Sequence, residues 1–289
     1  MTSPLPLSTP TALEYFAALV ADDADLPLLE AAIAVGQDED PGLDVQQCLA
    51  EIDRLAMRLV QRIPADAGAL QRLQLLNQYF FGDLGFAGNV NDYYDPRNSL
   101  LSEVLRTRRG IPITLALLYT ELAVQAGLRA TGVSFPGHFL VKLSMPGGEL
   151  VLDPFSGESL SREALDERLQ PFLKRRGLQG DFEAPLGLFL QSAAPRDVLT
   201  RLLRNLKEIH QTTRDWHRLL AVQQRLVVLL PSDWQERRDR GMVLARLGLL
   251  EPAARDLEAY VEACPGAGDV AALREQLDGL RTRRSGWLH

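Results

Sequence analysis

The chain has few cysteines and no long apolar run. Only Cys48 and Cys264 occur among its 289 residues, without a Cys-x-x-Cys pair or a Cys/His cluster, so the sequence predicts neither a disulfide framework nor a zinc site. No stretch of about 18 apolar residues could span a bilayer, and residues 1–10 lack the basic and apolar segments of a secretory signal. We therefore expect a cytoplasmic protein with no membrane partner.

Clustered positive charge is also scarce. The formal net charge is -7, and the arginine-rich stretches Arg106–Arg109 and Arg281–Arg284 are short. Binding to a phosphate backbone needs a broader basic surface, so we expect no nucleic acid partner. What the chain does have is 46% apolar and 24% charged residues, which is the composition of a globular protein.

The first third of the chain shows helical periodicity. Apolar residues recur at helical spacing in Leu13–Val20, Leu26–Val35, Val45–Ile63 and Leu70–Phe81. The acidic turn Gly36–Gly42 separates the second of these segments from the third. We interpret it as a solvated loop, with a cation site as the alternative.

A buried helix and a small sheet are predicted next. The segment Ile111–Ala126 is apolar nearly all round, which is typical of a helix in the middle of a core. The period then changes to two, which predicts short strands at Thr131–Phe135, Phe139–Leu143 and Leu150–Leu152. The turn Met145–Gly148 joins the last two as an antiparallel hairpin. A helix over Ser161–Leu178 and a linker over Gln179–Pro195 follow.

The C-terminal part carries a helical repeat. Pro231 and Pro265 are 34 residues apart, which is the period of a tetratricopeptide repeat. Between them the positions that such a repeat fills with small or large apolar residues hold Gly241, Leu244, Gly248, Ala253 and Leu257. We predict two repeats over residues 195–289, with an ordinary helical bundle as the alternative, after a first domain over residues 1–185.

His138 and Asp153 are the residues that point to chemistry. A hairpin centred near residue 146 places Asp153 opposite positions 138–140 of the partner strand, so the two side chains can hydrogen-bond. An aspartate that orients an imidazole is the rear half of a nucleophilic triad, whose front half is a thiol or a hydroxyl. The alternative is a buried polar pair without chemistry, and the spacing leaves both open.

Several motifs occur in an order that is similar to a known family. They are Asn77–Phe81, Leu84–Phe86, Asn91–Ser99, Arg109–Leu115, Phe135–Phe139 and Leu152–Phe155. Together they resemble the bacterial SirB-one family of transglutaminase-like proteins with tetratricopeptide repeats. The resemblance implies an α+β fold: a helical N-terminal region, a papain/transglutaminase-like core with a small antiparallel sheet, and C-terminal α-helical repeats.

The resemblance also shows which residue is missing. The wider superfamily places its nucleophilic cysteine two residues after a glycine at the start of the central helix, and here Pro112 holds that place. Thr114 is rotated roughly 200° around the helix, so its hydroxyl should point away from His138, and Thr120 lies roughly 12 Å further along the axis. Cys48 could approach only if the N-terminal helices fold across the site.

The expected function follows from this gap. We expect a catalytically silent protein in which His138 and Asp153 are vestigial, and which acts as a protein-binding or regulatory module without a cofactor or a metal. The partner would be a protein or a peptide held by the repeats or by the inherited cleft. The alternatives are a hydrolase or acyl transferase that uses a non-standard nucleophile, and a metal site that adds Asp92 or Asp95.

Overall fold

A computed structural model of the protein describes residues 10–177 and 185–285, so residues 178–184 of the predicted linker lie outside it. The chain forms two compact units. The core unit comprises Leu28–Gly36 and Gly42–Leu202. The repeat unit comprises the described residues up to Pro27, Gln37–Pro41, and those from Leu203 onward. The domain limits 1–185 and 195–289 stay a prediction.

Helices make up most of both units. They are α1 (Ala12–Leu19), α2 (Leu28–Ala34), α3 (Val45–Val60), α4 (Ala69–Asn77), α5 (Leu101–Thr107), α6 (Pro112–Gln125), α7 (Arg162–Arg176), α8 (Leu186–Phe189), α9 (Pro195–Thr213), α10 (Trp216–Leu229), α11 (Trp234–Arg246), α12 (Leu250–Ala263) and α13 (Val270–Ser285). The helices predicted in the first third are confirmed as α1 to α4. The last predicted turn of α4 differs, because it continues as a π-helical segment, Gln78–Asp83.

Two sheets lie in the core unit. The strands β1 (Ala87–Gly88) and β2 (Arg109–Gly110) form a short parallel pair. The strands β3 (Arg129–Val133), β4 (Leu140–Met145), β5 (Gly148–Asp153) and β6 (Glu158–Leu160) form an antiparallel sheet in that order. The predicted hairpin is confirmed, with Met145 paired to Gly148 across the turn. The sequence pattern missed β6, which is three residues long.

The antiparallel sheet is covered by helices that match the alternation of its side chains. Val133, Leu140 and Val151 share one face and pack against Leu165 and Leu169 of α7. The other face carries Val141, Leu143 and Leu152, each fully buried, while α6 contacts β3 and β4. Ten of the α6 residues are buried, so the helix lies in the core as its composition predicts. The α+β fold class is confirmed.

The described regular structure of the repeat unit is helical. Its helices α10 to α13 pack on one another in succession, and Leu244, Ala253, Leu257 and Leu273 lie in its apolar core. The helix α1 packs against α10, where the fully buried Phe16 lies under the guanidinium of Arg225. Every helix of the described residues is too short or too polar to cross a membrane.

Most of the acidic turn is exposed, as the sequence predicted, since Asp38, Asp40, Pro41 and Gly42 lie at the surface. Its start and two of its carboxylates nevertheless contact other residues of their own units. Val35 and Gly36 are buried, and Asp38 Oδ2 lies 2.8 Å from Nη1 of Arg225, whose side chain is 1% exposed. Glu39 pairs with Nε of Arg218 at 2.7 Å. The sequence did not predict these ion pairs, because the arginines that bind the carboxylates lie far along the chain, on α10.

Candidate functional site

A tight turn positions His138. Phe135 O accepts a hydrogen bond from His138 N at 3.0 Å, and Gly137 between them has φ of 74°. Pro136 followed by a glycine of positive φ is the signature of a type II β-turn. The turn leads directly into β4, which starts at Leu140, so the imidazole lies beside the N-terminal end of this strand.

Three donors converge on the Asp153 carboxylate at the end of β5. His138 Nε2 lies 2.8 Å from Oδ1, and the Phe155 N–H donates to the same oxygen at 2.9 Å. Arg168 Nη1 on α7 donates to Oδ2 at 2.8 Å. The structure therefore brings His138 and Asp153 together, through the strand register that pairs Val141 with Leu152.

The Asp153 carboxylate is held in its ionised form. It is 3% exposed, and this burial on its own raises the pKa of the carboxyl. The hydrogen bonds from His138 and Arg168 outweigh burial and bring the Asp153 pKa to about 2. A buried carboxylate with three donors is a fixed anchor for the imidazole, because it neither moves freely nor gains a proton near neutral pH.

The other imidazole nitrogen faces no protein partner. Within residues 10–177 and 185–285, His138 Nδ1 has no hydrogen bond, and the side chain is 24% exposed. With Nε2 directed to Asp153, Nδ1 is the atom that could take or give a proton. The pair therefore retains the orientation that general acid–base chemistry requires, whether or not a reacting group stands beside it.

The start of α6 offers no nucleophile. Pro112 is its first residue, where the missing N–H costs little. Thr114 is completely buried, and its hydroxyl donates to Asn98 O at 2.8 Å and accepts from Ile111 N at 3.2 Å. Because both functions of the hydroxyl are used by the backbone, Thr114 serves to fix the first turn of the helix.

Short backbone bonds join the start of α6 to the region of Asp153. Gly88 N donates to Phe155 O at 3.0 Å, and Asn89 N donates to Gly110 O at 3.1 Å. A Cβ at Gly88 would lie 2.3 Å from the Phe155 ring, so the close approach requires glycine. The segment Gly88–Asn89 thus connects the residue two positions before Pro112 with the residue two positions after Asp153.

Two further candidates for a nucleophile have unsuitable surroundings. Thr120 Oγ1 is buried without a hydrogen-bond partner in the described parts of the chain, and it lines a cavity of 120 Å³ whose other lining groups are mostly apolar. Cys48 lies on α3, where burial and then the charges of Glu51 and Asp44 raise the pKa of its thiol. A raised pKa keeps the thiol protonated, whereas a nucleophile needs the thiolate.

No metal site is evident around the pair. Among the described residues, no three His, Cys, Asp or Glu side chains are grouped so that they could hold a metal ion. Asp95, one of the alternative ligands, forms an ion pair with Arg97 at 2.6 Å and accepts its backbone N–H.

Sequence reasoning missed Arg168. The helical pattern of α7 identifies Leu165, Leu169 and Leu173 as its buried stripe. It places Arg168 beside that stripe but carries no information on which strand end the stripe meets. The hydrogen bond from the Phe155 N–H was also missed. The sequence carried a signal for it, because an aspartate at the start of a turn often accepts a hydrogen bond from the backbone two residues on.

A second candidate site lies within the repeat unit. A groove of about 500 Å³ is lined by residues of α9, α10, α11 and α13, together with Asp269 just before α13. Its size is within the range of ligand-binding sites, about 300–1,000 Å³. The groove combines charged side chains with an apolar floor, which is a suitable surface for a peptide.

Comparison with known proteins gives two family matches. The profile of the transglutaminase-like superfamily matches residues 46–204, and that of the tetratricopeptide repeat matches residues 206–278. The second match confirms the predicted repeats over most of the C-terminal region. No solved structure matches the chain.

Curated relatives match along nearly the whole chain. A UPF0162 protein of Xylella fastidiosa strain Temecula1 is 36% identical over 268 residues, 91% of this chain and 93% of its own. A UPF0162 protein of Vibrio cholerae is 27% identical over 264 residues, 91% of this chain and 96% of its own. The UPF0162 protein YchA of Escherichia coli K12 is 28% identical over 258 residues, 88% of this chain and 93% of its own. With both profile matches, these relatives show that the chain is a UPF0162 protein of the transglutaminase-like superfamily with tetratricopeptide repeats.

Proposed function

We propose that the protein is a catalytically silent transglutaminase-like protein that binds a protein partner and regulates it. The observation that carries the proposal is the start of α6. Pro112 is the first residue of the helix, at the place that the family resemblance gives to the nucleophile, and the Thr114 hydroxyl is hydrogen-bonded to Asn98 O and Ile111 N. The raised pKa of the Cys48 thiol supports the same conclusion.

Binding of a protein partner is supported by the repeats. Tetratricopeptide arrays present their helices as an extended surface, and such surfaces commonly hold peptides or helices. The finer parts of the proposal are a cytoplasmic location and membership of the SirB-one family. The latter rests on the motif order from Asn77 to Phe155.

A hydrolase with an activated water is the second candidate. The observation that favours it is the free Nδ1 of His138, on an imidazole whose other nitrogen is held by the ionised Asp153. In that case His138 would take a proton from water as the water attacks a carbonyl, and Asp153 would stabilise the imidazolium. This mechanism needs no side-chain nucleophile, so labelling of side chains cannot detect it.

An activity assay separates the two candidates. The purified protein is incubated with a glutamine-containing peptide and a fluorescent amine, and separately with an activated ester. We expect no incorporation of the amine. We also expect any background hydrolysis of the ester to be the same in the native chain and in the His138→Ala variant. Turnover by the native chain that disappears in His138→Ala would contradict catalytic silence.

Restoring a thiol tests whether Pro112 holds the nucleophile's place. Pro112→Cys is made in a background in which both natural cysteines are changed to alanine, and the pH dependence of its reaction with iodoacetamide gives the pKa of the new thiol. We expect this pKa to rise when His138 is changed to alanine, because an imidazolium beside a thiolate stabilises the thiolate. Arg162→Cys, at the first position of α7, is the matched control, since it shares the helix start but not His138. An unchanged pKa in Pro112→Cys on loss of His138 would show that Pro112 does not face the imidazole.

A further inference from the structure

Most charged groups in the groove of the repeat unit already have partners. Lys207 Nζ on α9 lies 2.6 Å from Glu236 Oε2 and 2.7 Å from Asp239 Oδ2. Arg238 on α11 binds Asp239 at 2.7 Å and Asp269 at 2.8 Å. These five residues carry three negative and two positive charges, so their cations are neutralised and do not attract a further carboxylate.

Arg246 differs from these cations. It is exposed at the end of α11, and its guanidinium lies 4.7 Å from the centre of the Trp216 ring. Within residues 10–177 and 185–285 it forms no ion pair. The stacking on Trp216 holds the guanidinium plane while leaving its N–H groups available, because a cation–π contact uses the face of the group and not its edge.

The floor of the groove beside Arg246 is apolar. Leu219, Val243 and Leu273 are buried there, and Trp216 and Met242 are half-buried. An apolar side chain placed on this floor would remove Trp216 and Met242 from water, and methionine adapts its shape to such a partner.

Two of the three glutamines that line the groove have unpaired side-chain amides. Gln211 on α9 and Gln276 on α13 line the groove, and neither has a side-chain hydrogen bond within the described parts of the chain. An amide offers both a donor and an acceptor, as a peptide backbone does. Free amides from two different helices therefore suit an extended backbone that lies across α11.

We propose that this groove binds an extended peptide segment in which an aspartate or glutamate lies next to a large apolar residue. The carboxylate binds the edge of Arg246, the apolar side chain packs on Trp216 and Met242, and the amides of Gln211 and Gln276 bind the backbone. The inference rests on the proposed function, because it names the class of partner that the repeats take. Charge complementarity with Arg246 selects the carboxylate.

Blocked synthetic peptides test the inference. A short acetylated and amidated peptide with Glu-Leu at the centre of a Gly/Ser sequence is labelled with fluorescein, and matched peptides carry Gln-Leu, Lys-Leu or Glu-Ser. Fluorescence anisotropy with the full-length protein measures each affinity. We expect the Glu-Leu peptide to bind about tenfold more tightly than the Gln-Leu and Glu-Ser peptides, and the first of these differences to shrink with added salt.

A charge reversal makes the test specific. Arg246→Glu should bind the Lys-Leu peptide more tightly than the Glu-Leu peptide, whereas Arg255→Glu, which reverses an exposed arginine of α12 outside the groove, should keep the native order. Any of three results would overturn the inference. They are equal affinity for the Glu-Leu and Gln-Leu peptides, an Arg246→Glu variant that still prefers the Glu-Leu peptide, and no binding of any peptide. Peptide binding that does not depend on the carboxylate would overturn the inference but leave the proposed binding of a protein partner unaffected. Turnover that depends on His138 would contradict catalytic silence and leave the inference about the groove unaffected.

Discussion

The two units hold their charges in different ways. In the core unit, three donors converge on the single carboxylate of Asp153, which is 3% exposed. In the repeat unit, Lys207 and Arg238 share Asp239, whose side chain is 28% exposed, and each cation has a second carboxylate. Removing the Asp153 carboxylate therefore breaks every bond of the first cluster. Removing the Asp239 carboxylate leaves the pairs Lys207–Glu236 and Arg238–Asp269 in the second. The cluster around Asp153 therefore holds His138 in one orientation, whereas the chain of ion pairs through Asp239 forms part of the groove surface.

The largest expected effect comes from removing the shared acceptor of the core unit. Asp153→Ala should lower the free energy of unfolding by about 3–5 kcal/mol, because it leaves Arg168, His138 and the Phe155 N–H without their acceptor in a buried site. Urea denaturation followed by circular dichroism measures this change.

The matched change in the repeat unit is Asp239→Ala. It should cost only about 1 kcal/mol, since Lys207 keeps Glu236 and Arg238 keeps Asp269. Equal losses in the two variants would show that the two clusters do not differ in the way described.

A smaller effect should appear in the pH dependence of stability. The Asp153 pKa of about 2 is below its ordinary value, so the ionised group stabilises the fold above about pH 4, and this contribution is lost as the pH falls toward 2. The shift corresponds to about 2 kcal/mol at pH 5 and about half of that at pH 3.

The comparison with Asp153→Asn isolates this contribution, because every other carboxyl is common to both proteins. The difference in unfolding free energy between the native chain and Asp153→Asn should therefore shrink by about 1 kcal/mol between pH 5 and pH 3. A difference that stays constant over this range would mean that the Asp153 pKa is not depressed in the folded protein.

The last pair of predictions concerns one glycine in each unit. Gly88→Ala should cost about 1–3 kcal/mol, because the new Cβ would lie 2.3 Å from the half-buried Phe155 ring. Gly241→Ala would place its Cβ 2.9 Å from Cγ and Cδ2 of the fully buried Leu257 and 3.1 Å from Cβ of Asp256. The higher helix propensity of alanine offsets about 1 kcal/mol of this clash, so the net cost should be lower than that of Gly88→Ala. Adding Phe155→Leu should recover part of the loss in Gly88→Ala, and no recovery would exclude this contact as the cause.

The sequence predicted the parts of the site that depend on local pattern. Strand alternation and the turn Met145–Gly148 fix the hairpin, and this register brings Asp153 to His138. The helical period likewise places Pro112 at the start of α6. In each case the information lies within a short window of the chain, where sterics and periodicity act.

Contacts between distant segments could not be predicted in this way. Arg168 reaches Asp153 because α7 packs on the sheet in one particular orientation, and Asp38 forms an ion pair with Arg225, which lies on α10 far along the chain. An acidic turn next to glycine and proline has the composition of a solvated loop, and only the packed structure identifies its partner. The assignment of Pro112 as the nucleophile's place came from the family resemblance and stays a prediction.

The make-up of the repeat unit has a consequence for synthesis of the chain. Its parts α1 and Gln37–Pro41 are made first, but their partners Arg218 and Arg225 on α10 come only after the whole stretch 42–202. At typical translation rates this delay is about ten to thirty seconds. During that time the apolar face around Phe16 has no α10 to cover it, so this part of the repeat unit completes its packing only late in synthesis.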